Sequence, residues 1–317
     1  MSGTKKLSET ELQIKKSRSL WRHVKKEWMI YSFLIIPIAY FIIFKYIPIL
    51  GNIIAFRRYR GGPNIFGDQW VGLRYFKQFL NDSSFWQAFW NTLRLSISYI
   101  LVRFPATLIF ALLLNEIRRK RLKKAVQTVS YLPHFISLVV VCGMVKEMVA
   151  LNGPINSLIA ALGFEKIPFI TEANWFSAIY IISGVWQALG WGTILYLTAM
   201  TGINTELYEA AAVDGAGSLK RAWHVTIPGI LPTIMTLLIL DIGGIMTATN
   251  MQKILLLYNP LTQSKADIIG TYVYRMGISG GQFSYATAIG LFEGLIGLIL
   301  VTTANLVSKK ATETSLW

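Results

Sequence analysis

This chain has little of what a water-soluble globule or an enzyme needs. Only 15% of its 317 residues are charged, against 53% that are hydrophobic. That is too little polar surface to cover a soluble domain of this size. A single cysteine, Cys142, excludes an intramolecular disulfide and any metal site of cysteine spacing. The three histidines, His23, His134 and His224, stand far apart near the edges of apolar blocks, which suits interfacial polar residues better than ligands. No G-x-x-x-x-G-K-S/T pattern occurs, so the chain is not expected to cradle ATP phosphates or to be an enzyme in its own right. Gly277-Ile278-Ser279-Gly280-Gly281 does satisfy G-x-S-x-G. A nucleophile elbow, however, needs a strand-to-helix turn and a later histidine, and none follows His224, so the stretch reads as a turn.

Negative charge is also scarce: 31 Lys and Arg face 16 Asp and Glu, a formal net charge of +15. Such an excess raises nucleic acid as a partner. The basic residues cluster beside apolar blocks rather than among groove-reading or stacking motifs, so membrane lipid is the expected partner and nucleic acid is not.

What the chain does have is six apolar blocks of membrane-spanning length, at about Trp28–Leu50, Phe89–Leu114, Val126–Val149, Trp175–Met200, Gly229–Tyr258 and Phe283–Val307. The expectation is an all-α polytopic protein with a membrane domain at 28–307 and short polar tails at 1–27 and 308–317. The first block is too long for a signal-peptide core and lacks a small-residue cleavage site, so it reads as a retained span bent by Pro37 and Pro48. Connections on one side (1–27, 116–124, 201–228 and the tail) carry eighteen Lys and Arg, whereas 51–88, 151–174 and 257–281 carry eight. The positive-inside tendency then puts both termini and the 201–228 loop in the cytoplasm of a bacterial plasma membrane. The aromatic, turn-rich connection 51–88 is expected to pack on the opposite, outer mouth.

The most informative stretch is the 201–228 loop. Asn204 to Val213 has the composition of a short amphipathic helix, with Leu207, Ala211 and Ala212 on one face. Gly215 and Gly217 supply a permissive turn, and Pro228 suits a helix restart. Glu209-Ala210-Ala211, three residues, Gly215, nine residues, then Val225-Thr226-Ile227-Pro228 resembles the EAA loop of ABC importer permeases; Val225 and Ile227 are conservative departures. The resemblance runs through Trp70-Val71-Gly72-Leu73, Asn91-Thr92-Leu93, the stretch Ala111 to Glu116, Tyr131-Leu132-Pro133-His134-Phe135-Ile136-Ser137, Tyr272-Val273-Tyr274-Arg275 and Gly281 to Ala288. These stretches are similar to maltose-type carbohydrate permeases of the LplB-like subgroup. The resemblance implies the six-helix type I permease fold, a heterodimer with a second permease, two cytoplasmic ATPases that hold the ATP and Mg, and an extracytoplasmic solute-binding protein. Glu209, Ala210, Ala211, Asp214, Gly215 and Pro228 would then couple this chain to its ATPase. Lys220-Arg221 would touch either acidic ATPase residues or lipid headgroups.

For the solute path, Thr249-Asn250-Met251-Gln252-Lys253 departs from the subgroup, which usually has an acidic residue here. Asn250 and Gln252 are expected to hydrogen-bond a sugar, Trp186, Trp191 or Tyr196 to stack on it, and Lys253 to suit an acidic sugar such as a uronate. Asp241 and Glu293 are candidates for internal ion pairs, and Gly290, Gly294 and Gly297 for close helix packing. A permease of the same type for a non-sugar solute is the alternative. An ion-coupled carrier would need paired repeats with broken helices, and no internal repeat is visible.

Overall fold

The computed structural model describes residues 26–59, 61–247, 249–312 and 315. The expected polar tail at 1–27 therefore lies almost wholly outside the described residues. The described chain is built from helices, with a single two-residue antiparallel pair, β1 (Arg57–Arg58) and β2 (Gln69–Trp70). In chain order the main helices are α1 (Trp28–Phe41), α2 (Arg74–Leu80), α3 (Ser83–Glu116), α4 (Lys120–Tyr131), α5 (Leu138–Val149), α6 (Pro154–Ala161), α7 (Ala173–Thr201), α8 (Thr205–Val213), α9 (Ser218–Arg221), α10 (Leu231–Gly243), α11 (Met251–Leu257), α12 (Gln263–Ala266), α13 (Ile269–Val273) and α14 (Phe283–Thr312). Five helical stretches are long and apolar enough to cross a membrane, and a pair bent by 68°, Ser218–Gly229 with Leu231–Gly243, makes up to six.

Two of the expected spans are divided, each for a local reason. Val126–Val149 is not one helix: Pro133 lacks an N–H, so α4 gives way to a 3-10 turn at Leu132–Phe135. Ser137 then caps α5 by accepting a hydrogen bond from the Val140 amide. Gly229–Tyr258 also breaks: α10 stops at Gly243-Gly244, and Asn250 opens α11 by accepting from the Lys253 amide at 3.0 Å.

Pro48 and Pro228 share a second device. Each follows a widened π turn, Ile42–Tyr46 and Ala222–Thr226, that makes room for the proline ring against the carbonyl four residues back. Pro228 therefore does not restart a helix. The helix restarts at Ser218, and Pro228 sits in its final turn before the 68° bend.

Three apolar clusters stack along α3. Phe85, Phe89, Phe79, Tyr272 and Tyr285 form the one farthest from the 201–228 loop. Leu95, Cys142, Phe176, Tyr180 and Ile254 make the middle one, in which Cys142 is buried with a free thiol. Ala111, Tyr196, Met200, Ile230 and Ile234 form the one nearest the loop. The connection 51–88 packs against the start of α14: the Tyr59 amide donates to Ser284 Oγ (2.9 Å), Ser284 donates to the Arg57 carbonyl (2.8 Å), and within the connection Phe56 stacks on Trp70.

At the base of the crown that this connection forms, Tyr272 donates a 2.5 Å hydrogen bond to Asp82, which also caps α3 by accepting from the Ser84 amide. Burial pushes the Asp82 carboxyl up, but the bonds from Tyr272 and Ser84 outweigh it and hold the group below its ordinary range. Arg275 is held above its ordinary range by its hydrogen bonds to Asp267.

The first span stands apart. Its most apolar stretch has no buried residue, and Phe33, Ile36, Phe44 and Leu50 are all exposed. In the last span Gly297 faces the Gly243 carbonyl, but a Cβ there would stand at an ordinary contact distance of 3.5 Å, and Gly290 and Gly294 face open space.

Candidate functional site

The 201–228 loop is a helical hairpin built in two arms. Asn204 caps α8 by accepting from the Glu206 amide at 3.0 Å, and Glu206 places a negative charge in the first turn, where the helix dipole favours it. At the other end Gly215 adopts φ +71°, donating to the Ala212 carbonyl at 3.0 Å, while the Ala216 amide reaches Ala211 at 2.8 Å. This is a Schellman close, and the left-handed position is where glycine is favoured. Ala210, Ala211 and Asp214 all belong to this close: Asp214 is the C-cap, and its amide reaches the Ala210 carbonyl.

The arms are tied together by Tyr208, whose hydroxyl lies 3.0 Å from buried Thr226 Oγ1. Arg221 of the second arm reaches Glu116 at the end of α3, at 3.9 Å. Glu209 is exposed, and so are the apolar Leu207 (54%), Val213 (88%), Leu219 (85%) and Trp223 (69%). The hairpin thus presents both a carboxylate and an apolar surface to its surroundings.

Between α3, α7 and α11 lies a cavity of about 500 Å³ lined by Tyr99, His134, Ile136, Leu138, Tyr180, Gly184, Gln187, Ala188, Asn250, Gln252 and Lys253. Lys253 is 4% exposed. Its Nζ donates to the Tyr180 carbonyl at 3.0 Å and sits 4.8 Å from the centre of the Tyr180 ring. The Tyr180 hydroxyl in turn accepts from the Asn250 amide at 2.9 Å. The lining holds no carboxylate to balance the ammonium. Gly184 keeps this space open: a Cβ there would lie 2.8 Å from Tyr99 and 3.0 Å from Lys253 Nζ.

Asn250, Gln252 and Lys253 therefore do line one cavity, but the three expected stacking residues do not share it. Trp191 lies beside it, in parallel contact with His134 at 4.6 Å and edge-on to Phe135. Trp186 lines a separate apolar groove with Met144, Met148, Trp175 and Ile182. Tyr196 is buried in the loop-side cluster and lines a further cavity with Arg103 and Asp241. The aromatic walls of the polar cavity are Tyr99, Tyr180 and His134, which sequence reading did not single out for this role. A signal was available for one of them: Tyr180 shares four-residue spacing with Gly184 and Ala188, one face of a helix.

Asp241 forms its expected ion pair, with Arg103. No salt bridge of Glu293 is found among the described residues. The G-x-S-x-G stretch lies in a π turn that ends at Gly280 and leads through Gly281 (φ +66°) into α14, so no strand precedes its serine.

The family described as "Binding-protein-dependent transport system inner membrane component" matches residues 103–312, about two thirds of the chain and all of the hairpin. The chain belongs to this family. It is thus an inner-membrane permease component of a binding-protein-dependent ABC importer, consistent with its mostly helical type I permease architecture. Among relatives of this permease, Protein LplB of Bacillus subtilis (strain 168) is 43% identical over 288 residues, covering 90% of each chain. The polygalacturonan/rhamnogalacturonan transport system permease protein YteP of the same organism is 40% identical and covers 96% of this chain and 94% of its own. Among solved structures, a bacterial ABC transporter involved in the import of the acidic polysaccharide alginate superposes with a TM-score of 0.84. It shares 38% identity and covers 93% of this permease and 99% of that chain. A bacterial alginate ABC transporter in complex with an alginate pentasaccharide-bound periplasmic protein gives 0.85.

Proposed function

We propose that this permease passes an acidic oligosaccharide, delivered by an extracytoplasmic binding protein, across the membrane under the drive of partner ATPases. The observation that carries the reading is Lys253. A buried ammonium without a carboxylate is costly, and an incoming uronate carboxylate would both compensate it and be selected by it. Asn250, Gln252 and Gln187 supply amide groups for hydroxyls, and Tyr99, Tyr180 and His134 supply apolar ring edges and faces. That YteP is by name a polygalacturonan/rhamnogalacturonan permease, and the superposed transporter an importer of the acidic polysaccharide alginate, supports the same solute class.

The hairpin at 201–228 acts as the coupling element. Its Schellman close and the Tyr208–Thr226 tie make two short arms move as one body, and its exposed Glu209 with Leu207, Val213 and Leu219 fits a groove on an ATPase that binds ATP and Mg. ATPase closure would then tilt the hairpin and, through the bend at Ile230, the helices behind it. Both termini and the hairpin lie in the cytoplasm, as the distribution of basic residues indicates. The uncovered first span and the open Gly290–Gly294 face suit a second, different permease subunit as the partner.

The test is ATPase activity and uptake by the reconstituted complex, with its binding protein offered neutral and acidic oligosaccharides. Stimulation by acidic sugars, weakened at least tenfold by Lys253→Met and lost with Glu209→Ala, is the expected result. Equal response to both sugar classes with Lys253→Met unchanged would remove the acidic reading, and turnover that ignores Glu209→Ala would remove the coupling role.

A further inference from the structure

The lysine cavity is not the last polar space on this path. On α3 the residues Tyr99, Arg103 and Thr107 follow at four-residue intervals on one face, and on α7 Gly184, Ala188, Gly192 and Tyr196 do the same. The earlier members line the Lys253 cavity; the later ones line a second cavity of about 130 Å³, with Asp241 of α10 in its wall. A four-residue step is about 6 Å of helix, so the second space follows the first toward the coupling hairpin.

Three features of Arg103 are unlike those of a saturated structural pair. One guanidinium nitrogen donates to Asp241, while its buried Nε has no acceptor among the described residues. A guanidinium is a planar fork suited to two parallel bonds with a carboxylate, and here it is only partly engaged. The pair is also accessible, with side-chain exposures of 27% and 23%. Finally, Arg103 is joined to the Lys253 cavity: its guanidinium lies 5.6 Å from the Tyr99 ring, which meets Tyr180 edge-on, and Tyr180 holds Lys253. Aromatic rings thus bridge the two cationic centres.

We infer that Arg103 is a second carboxylate-recognition point, to which an acidic saccharide passes after leaving Lys253, displacing Asp241 from the guanidinium. Asp241 holds the fork in position in the unloaded permease and competes with the saccharide afterwards, so that the second site engages the solute without retaining it. Conduction along a path needs sites that bind enough to admit and weakly enough to release, and a tethered competing carboxylate provides the second condition. This inference rests on the acidic-solute reading above.

The experiment uses the complete transporter, trapped with vanadate after turnover, and measures a radiolabelled oligouronate retained by wild type, Arg103→Gln, Arg103→Lys and Asp241→Asn, with thermal melting recorded for each. Retention should fall at least fivefold in Arg103→Gln and recover in part in Arg103→Lys. In Asp241→Asn it should rise above wild type by a similar factor, because the competitor is gone while the guanidinium remains. A purely structural brace predicts instead that both Gln and Asn variants lose melting temperature and shift retention in the same direction or not at all, and that result overturns the inference. Should Arg103→Gln fail to assemble, the opposite shifts of Arg103→Lys and Asp241→Asn still decide it. Loss of retention in Lys253→Met together with unchanged Arg103 and Asp241 variants would refute the second site alone. A wild-type complex that neither takes up nor retains oligouronate would refute both readings.

Discussion

Gly184→Ala is the sharpest perturbation of the lysine cavity, because one methyl group enters a space already claimed twice. The added Cβ would stand 2.8 Å from Tyr99 Cε2 and 3.0 Å from Lys253 Nζ, where carbon contacts settle at about 3.5–4.0 Å. Something has to move by most of an ångström. The closer overlap is with Tyr99, so that ring has to shift against Tyr180, which it meets edge-on, and the lysine amine, the end of a flexible chain, is pushed aside with it. Its 3.0 Å bond to the Tyr180 carbonyl is then lost. A hydrogen bond from a charged group is worth roughly 1.5–3 kcal/mol, and overpacking typically costs about 1–3 kcal/mol. At about 1.4 kcal/mol per decade, acidic oligosaccharide should half-saturate uptake at a concentration on the order of ten- to a hundredfold higher. The assay is uptake by proteoliposomes in parallel with melting of the purified complex. The same substitution on a Lys253→Met background should do much less, since the group it displaces is gone, and a double-mutant cycle reads that coupling directly. Additive effects, or a Gly184→Ala protein with wild-type uptake of acidic sugar, would refute the assignment of Lys253 to the solute.

Gly215→Ala tests the hairpin without any steric change, because nothing lies within 4 Å of the added Cβ. Only the left-handed backbone at φ +71° is penalised, by about 1–2 kcal/mol, so sugar-stimulated ATPase should fall severalfold with little change in global melting. On the crown, Asp82→Asn should lower the melting temperature, by an amount corresponding to about 1.5–3 kcal/mol for a hydrogen bond to a charged group. Because the Asp82 carboxyl is held below its ordinary range, its contribution is present above that range and is lost as pH falls through the lowered value. The melting difference between wild type and Asp82→Asn should therefore shrink only on acidification below about pH 4, and a difference that is constant down to pH 2 would contradict the assignment.

The amino-acid sequence alone determined that this is a helical membrane protein, because runs of apolar residues long enough to span a bilayer have few alternatives once backbone groups must be satisfied internally. It also determined the 201–228 hairpin, since capping is local: Asn204, Gly215 and their hydrogen-bonding neighbours lie within twelve residues. Local chemistry explains the divided spans as well, although Pro133 and the Gly243-Gly244 pair were hidden by the hydropathy of their surroundings. The solute path was another matter. Trp186, Trp191 and Tyr196 are similar in kind, yet successive members are five residues apart and so point about 140° away from one another on a helix. They end in an apolar groove, beside the polar cavity and in the loop-side cluster. Lys253 was legible as an anomaly, but its carbonyl and ring partners come from Tyr180, seventy-three residues earlier. Which side chains meet across helices that are distant in sequence depends on helix rotation and crossing, which packing of whole faces settles, and only the tertiary structure decided that.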